Sequence, residues 1–373
     1  MALKKLHIIA SASVLAALIV TVAIQQNKRR HLQEENSVRD EIVRSGASSQ
    51  RSQVNKLRLP APPVQGGTDF QRQTPDARAA ELYAQFHVPK LSIEQAEKFL
   101  AENQRSAASL VAAFRTTGES RFLTEAMQKF PNDLQVAFEA LSTADLSSEE
   151  RRTWTDAIKQ ADPDNSLGNY LSAQDYFKSG QTDLAVGELE AASNKPRFND
   201  LTLERMQFNE EAYRANGFSE AESRSAGMFQ LPLPLLKVMP SLVENIIALS
   251  KSYREAGDGV SADAAVAIAL NLGERFQNSG NALLVNQNLG MGIEQSALEA
   301  LDPDALFGPA GRTPRELLHD LNADRAAISA LLRETVPLQD RMTSDDWIGY
   351  MNRMKMLGEV DAMRWLRTNF GPK

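Results

Sequence analysis

Four times in this chain a glycine stands four residues after an aromatic: Phe114 and Gly118, Tyr176 and Gly180, Tyr213 and Gly217, Tyr253 and Gly257. The glycines are separated by 62, 37 and 40 residues. Three prolines, Pro131, Pro163 and Pro196, recur at intervals of 32 and 33. A period of about 34 residues belongs to a helical hairpin that cannot bury its apolar side alone and must stack on its neighbours. In such a unit the aromatic closes the first helix and packs under the second. The glycine turns the chain, because without a Cβ it enters the left-handed conformation that a tight turn needs.

The text around these marks is helical. From about residue 78 onward there is almost no apolar/polar alternation of the kind a strand requires. Ser92 with Gln95, and Ser147 with Glu150, have the spacing of capping boxes. Pro75 and Pro131 stand where a first-turn proline is tolerated. Aromatics make up 6% of the chain while Ala and Leu recur, which suits helices packed through small residues. The expected fold is all-α, roughly twelve to fourteen helices arranged as stacked antiparallel pairs.

Residues 163–196 hold the fullest unit. Pro163-Asp164-Asn165 opens it, Ala173, Tyr176 and Gly180 mark its first helix and turn, and Ala185, Leu189 and Ala192 mark its second helix. At this spacing the stretch resembles a tetratricopeptide repeat. Asn169 and Ser172 depart from that family's bulky residues, and Pro196 falls one residue short of its terminal proline. The neighbouring units are looser. Glu210 stands where a small residue is expected, and Asp258-Gly259 reads as an insertion. The resemblance implies an α-solenoid whose first helices line a concave surface for an extended or helical peptide. Carried over to this chain, the partner-binding positions are Leu167, Tyr170, Gln174, Phe177 and Lys178. In the next unit they are Glu204, Gln207, Glu211 and Arg214. The alternative at Tyr170 and Phe177 is plain packing against the preceding pair, and the alternative to the repeat is a generic helical bundle.

Residues 6–24 carry no acidic or basic residue except His7, with Lys4 and Lys5 before them and Lys28, Arg29 and Arg30 after. At a rise of about 1.5 Å per residue this run is long enough to cross a hydrocarbon core. It reads as an uncleaved signal anchor, with the body on the non-cytoplasmic side. The alternative is an exported soluble protein after cleavage of a signal peptide near Thr21 and Ala23. Pro60-Ala61-Pro62-Pro63 and Gly66-Gly67 mark a flexible linker. The expected organisation is a transmembrane anchor (1–24), a basic then Pro/Gly/Ser-rich linker (25–77), a helical repeat domain (78–301), a loop (302–314) and a C-terminal helical region (315–373).

Charge is divided along the chain. Residues 25–60 carry eight Lys/Arg against four Asp/Glu, while residues 61–373 carry 31 against 44. An acidic body argues against nucleic acid, which needs clustered positive charge to displace counterions. The basic stretch beside the apolar run suits anionic lipid headgroups instead. The chain has no cysteine, which excludes disulfides, thiolate metal sites and an acylated-cysteine anchor.

Catalytic patterns are missing from the text. The four histidines, His7, His31, His87 and His319, have no metal-ligand spacing. The segment Gly308 to Thr313 lacks the lysine of a phosphate loop, and Gly290-Met291-Gly292 lacks the third glycine of a dinucleotide fingerprint. Acidic doublets such as Glu149-Glu150 and Asp345-Asp346 fall at helix starts, where the helix dipole explains them. The C-terminal stripe of Trp347, Tyr350, Met351, Met354, Met356, Met363 and Trp365 reads as core or array cap, with a partner surface as its alternative. The function expected is a membrane-tethered scaffold or adaptor that binds a protein or peptide, with no catalytic activity, cofactor or metal. Two rivals stand beside it: a self-associating envelope protein, and an α-helical enzyme using carboxylates.

Overall fold

The computed structural model describes residues 88–278, 283–308 and 310–372. The expected anchor and linker, and the first residues of the expected repeat domain, lie outside these. Among the described residues the chain is all α, with no β-strand. The helices are α1 (Ile93–Glu102), α2 (Ala107–Thr117), α3 (Ser120–Lys129), α4 (Leu134–Thr143) and α5 (Ser148–Ala161). They continue as α6 (Leu167–Lys178), α7 (Thr182–Ser193), α8 (Thr202–Ala215), α9 (Glu220–Phe229) and α10 (Leu235–Glu255). The last are α11 (Gly259–Asn278), α12 (Leu284–Glu299), α13 (Pro314–Thr335), a 3-10 turn (Val336–Arg341), α14 (Ser344–Leu357) and α15 (Glu359–Phe370). No described helix is long and apolar enough to cross a membrane.

Local chemistry sets most helix ends. Ser92 and Ser147 form the two expected capping boxes with Gln95 and Glu150, and Ser219, Thr313 and Thr343 form three more. Gly118, Gly180, Gly217 and Gly257 all take left-handed φ angles of 70–83°. Pro131 differs from expectation. It sits in the turn before α4, and Asp133 caps that helix by accepting from the amides of Gln135 and Val136.

Successive helices pack against one another as hairpins, most extensively α11 on α12, α8 on α9, α10 on α11 and α6 on α7. One core runs through α4, α5, α6, α7, α10, α11 and α12. Helix α6 is buried on all sides: every residue from Leu167 to Gln174 is inside. Its two departures from bulky residues have a reason. Asn169 Nδ2 and Ser172 Oγ donate to the Glu188 carboxylate of α7, at 2.6 and 3.0 Å, and Lys159 of α5 reaches the same carboxylate at 2.8 Å. A polar staple therefore joins three helices, and larger apolar residues at 169 and 172 would remove two of the donors to the Glu188 carboxylate.

The hairpin α8/α9 does not continue this succession. Helix α10 packs directly on α6, while α8 turns back onto α1 and α2 and α9 meets α14. The hairpin has two apolar sides. Ala212, Tyr213 and Ala226 pack with Leu91, Phe99 and Ala112, while Met206 and Ala221 share a core with Trp347, Met351, Met354 and Met363. A helix with one apolar stripe has one place to dock; a hairpin with two joins the N-terminal helices to the C-terminal ones.

Helices α11 and α12 meet backbone to backbone. A Cβ added at Gly290 would stand 2.5 Å from the Gly273 carbonyl oxygen, so the glycine pair serves a helix crossing and not a nucleotide loop. Gly290→Ala is expected to destabilise by about 1–3 kcal/mol in urea melts, although alanine is the better helix former. Gly187→Ala, at an exposed α7 position with no neighbour within 4 Å, is expected to stabilise by up to about 1 kcal/mol. Equal shifts for the two would refute the close crossing.

Candidate functional site

The expected partner-binding face of α6 is largely occupied by the chain itself. Leu167 and Tyr170 are fully buried, and Gln174 is 2% exposed. Gln174 Nε2 donates to Ser241 Oγ at 3.0 Å, and Asn245 Nδ2 donates to Gln174 Oε1 at 3.2 Å, so α10 lies over this face. Tyr170 packs edge-on against Phe198, its ring 6.3 Å away, and Phe198 in turn packs on Phe276 of α11. Burial pushes the Tyr170 phenol up to about 12. Phe177 is half-buried and Lys178 exposed, at the end of α6. Leu184, in the first turn of α7 just beyond the Gly180 turn, is 52% exposed. Of the five expected residues, Lys178 is exposed and Phe177 is partly buried against the main core; the exposed leucine across the turn was not singled out by sequence reading. In the next unit Gln207 donates to Glu211 at 2.9 Å and accepts from Lys355 of α14 at 2.8 Å, and Arg214 is exposed.

The densest buried chemistry lies where α2, α4 and α8 meet. Arg115, Glu139 and Arg205 have side chains 1%, 0% and 1% exposed. Arg115 grips Glu139 Oε2 with Nε at 2.8 Å and Nη2 at 2.6 Å, and Arg205 Nη2 approaches the same oxygen at 3.4 Å. Arg205 also donates to the Pro232 carbonyl at 2.9 Å and covers the Phe138 ring at 5.0 Å. Burial, and repulsion from Arg115, pull the Arg205 guanidinium down to about 10. Asp200 is a second carboxyl near Arg205. Burial raises its carboxyl, while the Thr202 amide, Arg205 and Asn286 oppose the rise.

Beside these groups is a cleft of about 10 Å³, lined by Phe138, Asp200, Thr202, Arg205 and Asn286 among others. That is room for about one water, not for a substrate. Arg115, Glu139 and Arg205 join α2, α4 and α8, and of the four charged groups Asp200 and Arg205 line the cleft. In the sequence, Glu139 is a lone charge inside the apolar run from Val136 to Leu141, and Arg115 follows Ala112-Ala113-Phe114. Those two interruptions were the available signal. Arg205 lies in polar text and offered none.

A second polar seam binds α14 to α8 and α9. Lys355 reaches Glu210 at 2.6 Å, Trp347 Nε1 donates to Ser225 Oγ at 3.0 Å, and Arg224 donates to the Ile348 carbonyl at 3.2 Å and to Asn352. Trp347, Tyr350, Met351, Met354 and Met363 are core residues, whereas Met356 and Leu357 are exposed. His319 is exposed, and its neighbour Asp320 pairs with Arg312 at 2.6 Å. Among the described residues no group of three or more His, Asp or Glu is placed to hold a metal ion.

Among the described residues, fold and junction together define an all-helical body of packed hairpins with buried ion pairs between them. Set against protein-family models, curated proteins and solved structures, the chain matches none.

Proposed function

We propose that this chain is a membrane-tethered helical scaffold or adaptor, which acts by binding a protein or peptide and not by catalysis. In this reading the unit at 163–196 is a tetratricopeptide-like hairpin, α10/α11 takes the next place on it in an α-solenoid, and α8/α9 is displaced sideways as a brace. The apolar run at 6–24 is the tether, with the body on the non-cytoplasmic side. The observation that carries the reading is the free end of the α6/α7 hairpin. Half-buried Phe177, exposed Lys178 and exposed Leu184 lie on either side of one turn, while the charged groups deeper in the protein are spent on internal packing. An apolar-aromatic patch beside a cation suits a peptide with an apolar anchor and an acidic neighbour.

Capture from detergent-solubilised native membranes tests this. The intact chain is compared with a variant carrying Phe177→Ala, Lys178→Glu and Leu184→Asp, after circular dichroism has shown both to be helical. One protein retained by the intact chain and lost from the variant is the expected result. Retention by both would move the binding surface elsewhere, with Met356 and Leu357 next to be changed.

A further inference from the structure

Among the described residues, helix α12 starts without a side-chain cap of its own. Its N-cap position holds Leu283, whose side chain has no acceptor. An acceptor arrives from 75 residues downstream: the Leu284 amide donates to Glu359 Oε2 at 2.7 Å. Glu359 is the first residue of α15 and only 3% exposed. It follows Gly358, whose left-handed φ of 89° makes the joint between α14 and α15. The helix dipole favours a carboxylate at this place, since the first amides of a helix lack intrahelical partners. Burial of an ionised carboxylate with no cation beside it opposes that gain.

The cations on the surrounding elements are directed elsewhere. Lys355 of α14 is held by Glu210, Arg325 of α13 by Gln295, and Arg341 of the 3-10 turn by the Phe370 carbonyl. On α15 itself, Arg364 pairs with Asp361 and Arg367 with Glu334 of α13. Arg333 and Asp340 lie at the surface, and on α12 Glu294 lies near Arg325. The titratable group facing Glu359 is Tyr350 of α14, whose phenol is raised by burial and by Glu359 itself. Burial pushes the Glu359 carboxyl up to about 7, against the pull of the Leu284 amide.

We propose that Glu359 is a proton-operated latch. Protonated, it holds the α14/α15 hairpin on the start of α12; ionised, it lets the start of α12 and α15 part. The seam it closes is apolar, for Leu283 and Leu284 share a core with Met351, Met354 and Met363. Helix α14 stays fastened to α8 and α9 by Trp347, Arg224 and Lys355, and the far end of α15 to α13 and the 3-10 turn by Arg367 and Arg341, so opening is confined to the start of α12 and the first turn of α15. The direction follows from linkage. The docked value, about 7, lies above the 4.5 of a free glutamate, so the docked state binds the proton more tightly. Docking is strongest below that lower value, weakens about tenfold per pH unit between about 5 and 7, and is level above.

Hydrogen exchange of the full-length chain in detergent, corrected for intrinsic rates, reads this in peptides covering 283–290 and 359–370. The expected result is opening that rises about tenfold per unit from about pH 5 to 7 in the intact chain, while α6 peptides stay level. In Glu359→Gln, which keeps an acceptor but no titratable proton, the rise is absent. A pH-independent first turn of α12 in the intact chain overturns the latch, as does an unchanged slope in Glu359→Gln. Should that variant fail to fold, the slope in the intact chain decides alone: confined to these two segments it supports the latch, and spread through α6 it refutes it.

Discussion

Glu139→Ala is expected to lower stability by about 3–5 kcal/mol, measured as a shift of the urea midpoint at unchanged slope. Glu139 is the carboxylate shared by Arg115 and Arg205, and all three side chains are buried. Its removal leaves Arg115 without its counter-charge and Arg205 with Asp200 alone, so the desolvation cost of the buried guanidiniums is no longer offset by their shared carboxylate. The mechanism makes a second statement that separates it from lost packing. Replacing all three together, as Arg115→Met, Glu139→Leu and Arg205→Met, removes the cluster's own charges and leaves Asp200 its donors from the Thr202 amide and Asn286. The triple variant is expected to recover most of the loss, because a buried ion cluster is seldom worth more than well-packed apolar residues of the same volume. A triple variant as unstable as Glu139→Ala would show that the ions themselves hold α2, α4 and α8 together.

Tyr170→Ala is expected to cost about 3–5 kcal/mol, the range for deleting a fully buried aromatic. Tyr170→Phe is expected to be neutral or slightly stabilising, because the buried hydroxyl has no hydrogen-bond partner. The pair of variants decides between two roles for one residue. A tyrosine lining an open groove would lose about 0.5 kcal/mol or less as alanine, since surface changes seldom do more. A tyrosine wedged between Phe198 and the core loses the full cavity cost. Partner capture gives an independent reading: Tyr170→Phe should retain whatever the intact chain retains.

Helix by helix, much of this protein is legible in its residues. Ser92, Ser147 and their partners three positions on cap the helices that the spacing predicts, because such contacts lie within one turn of chain. The aromatic–glycine pairs predict four turns, and all four glycines take the left-handed backbone. The candidate site was less legible. Leu167, Tyr170 and Gln174 occupy helix positions that a regular stack leaves open; here α10 lies over Gln174 and Phe198 over Tyr170.

What the residues determined alone is therefore local: the all-helical class, the helix boundaries, the capping and the turns, each set by groups a few positions apart. Which hairpin stands beside which was decided by tertiary structure. Helix α8 carries apolar residues on two sides and charges between them, so its own pattern is compatible with more than one neighbour. The choice rests on pairs far apart in the chain: Glu139 with Arg205, Glu210 with Lys355, Leu284 with Glu359. A buried charge is tolerated only where its partner arrives, and no spacing along the chain reveals that partner.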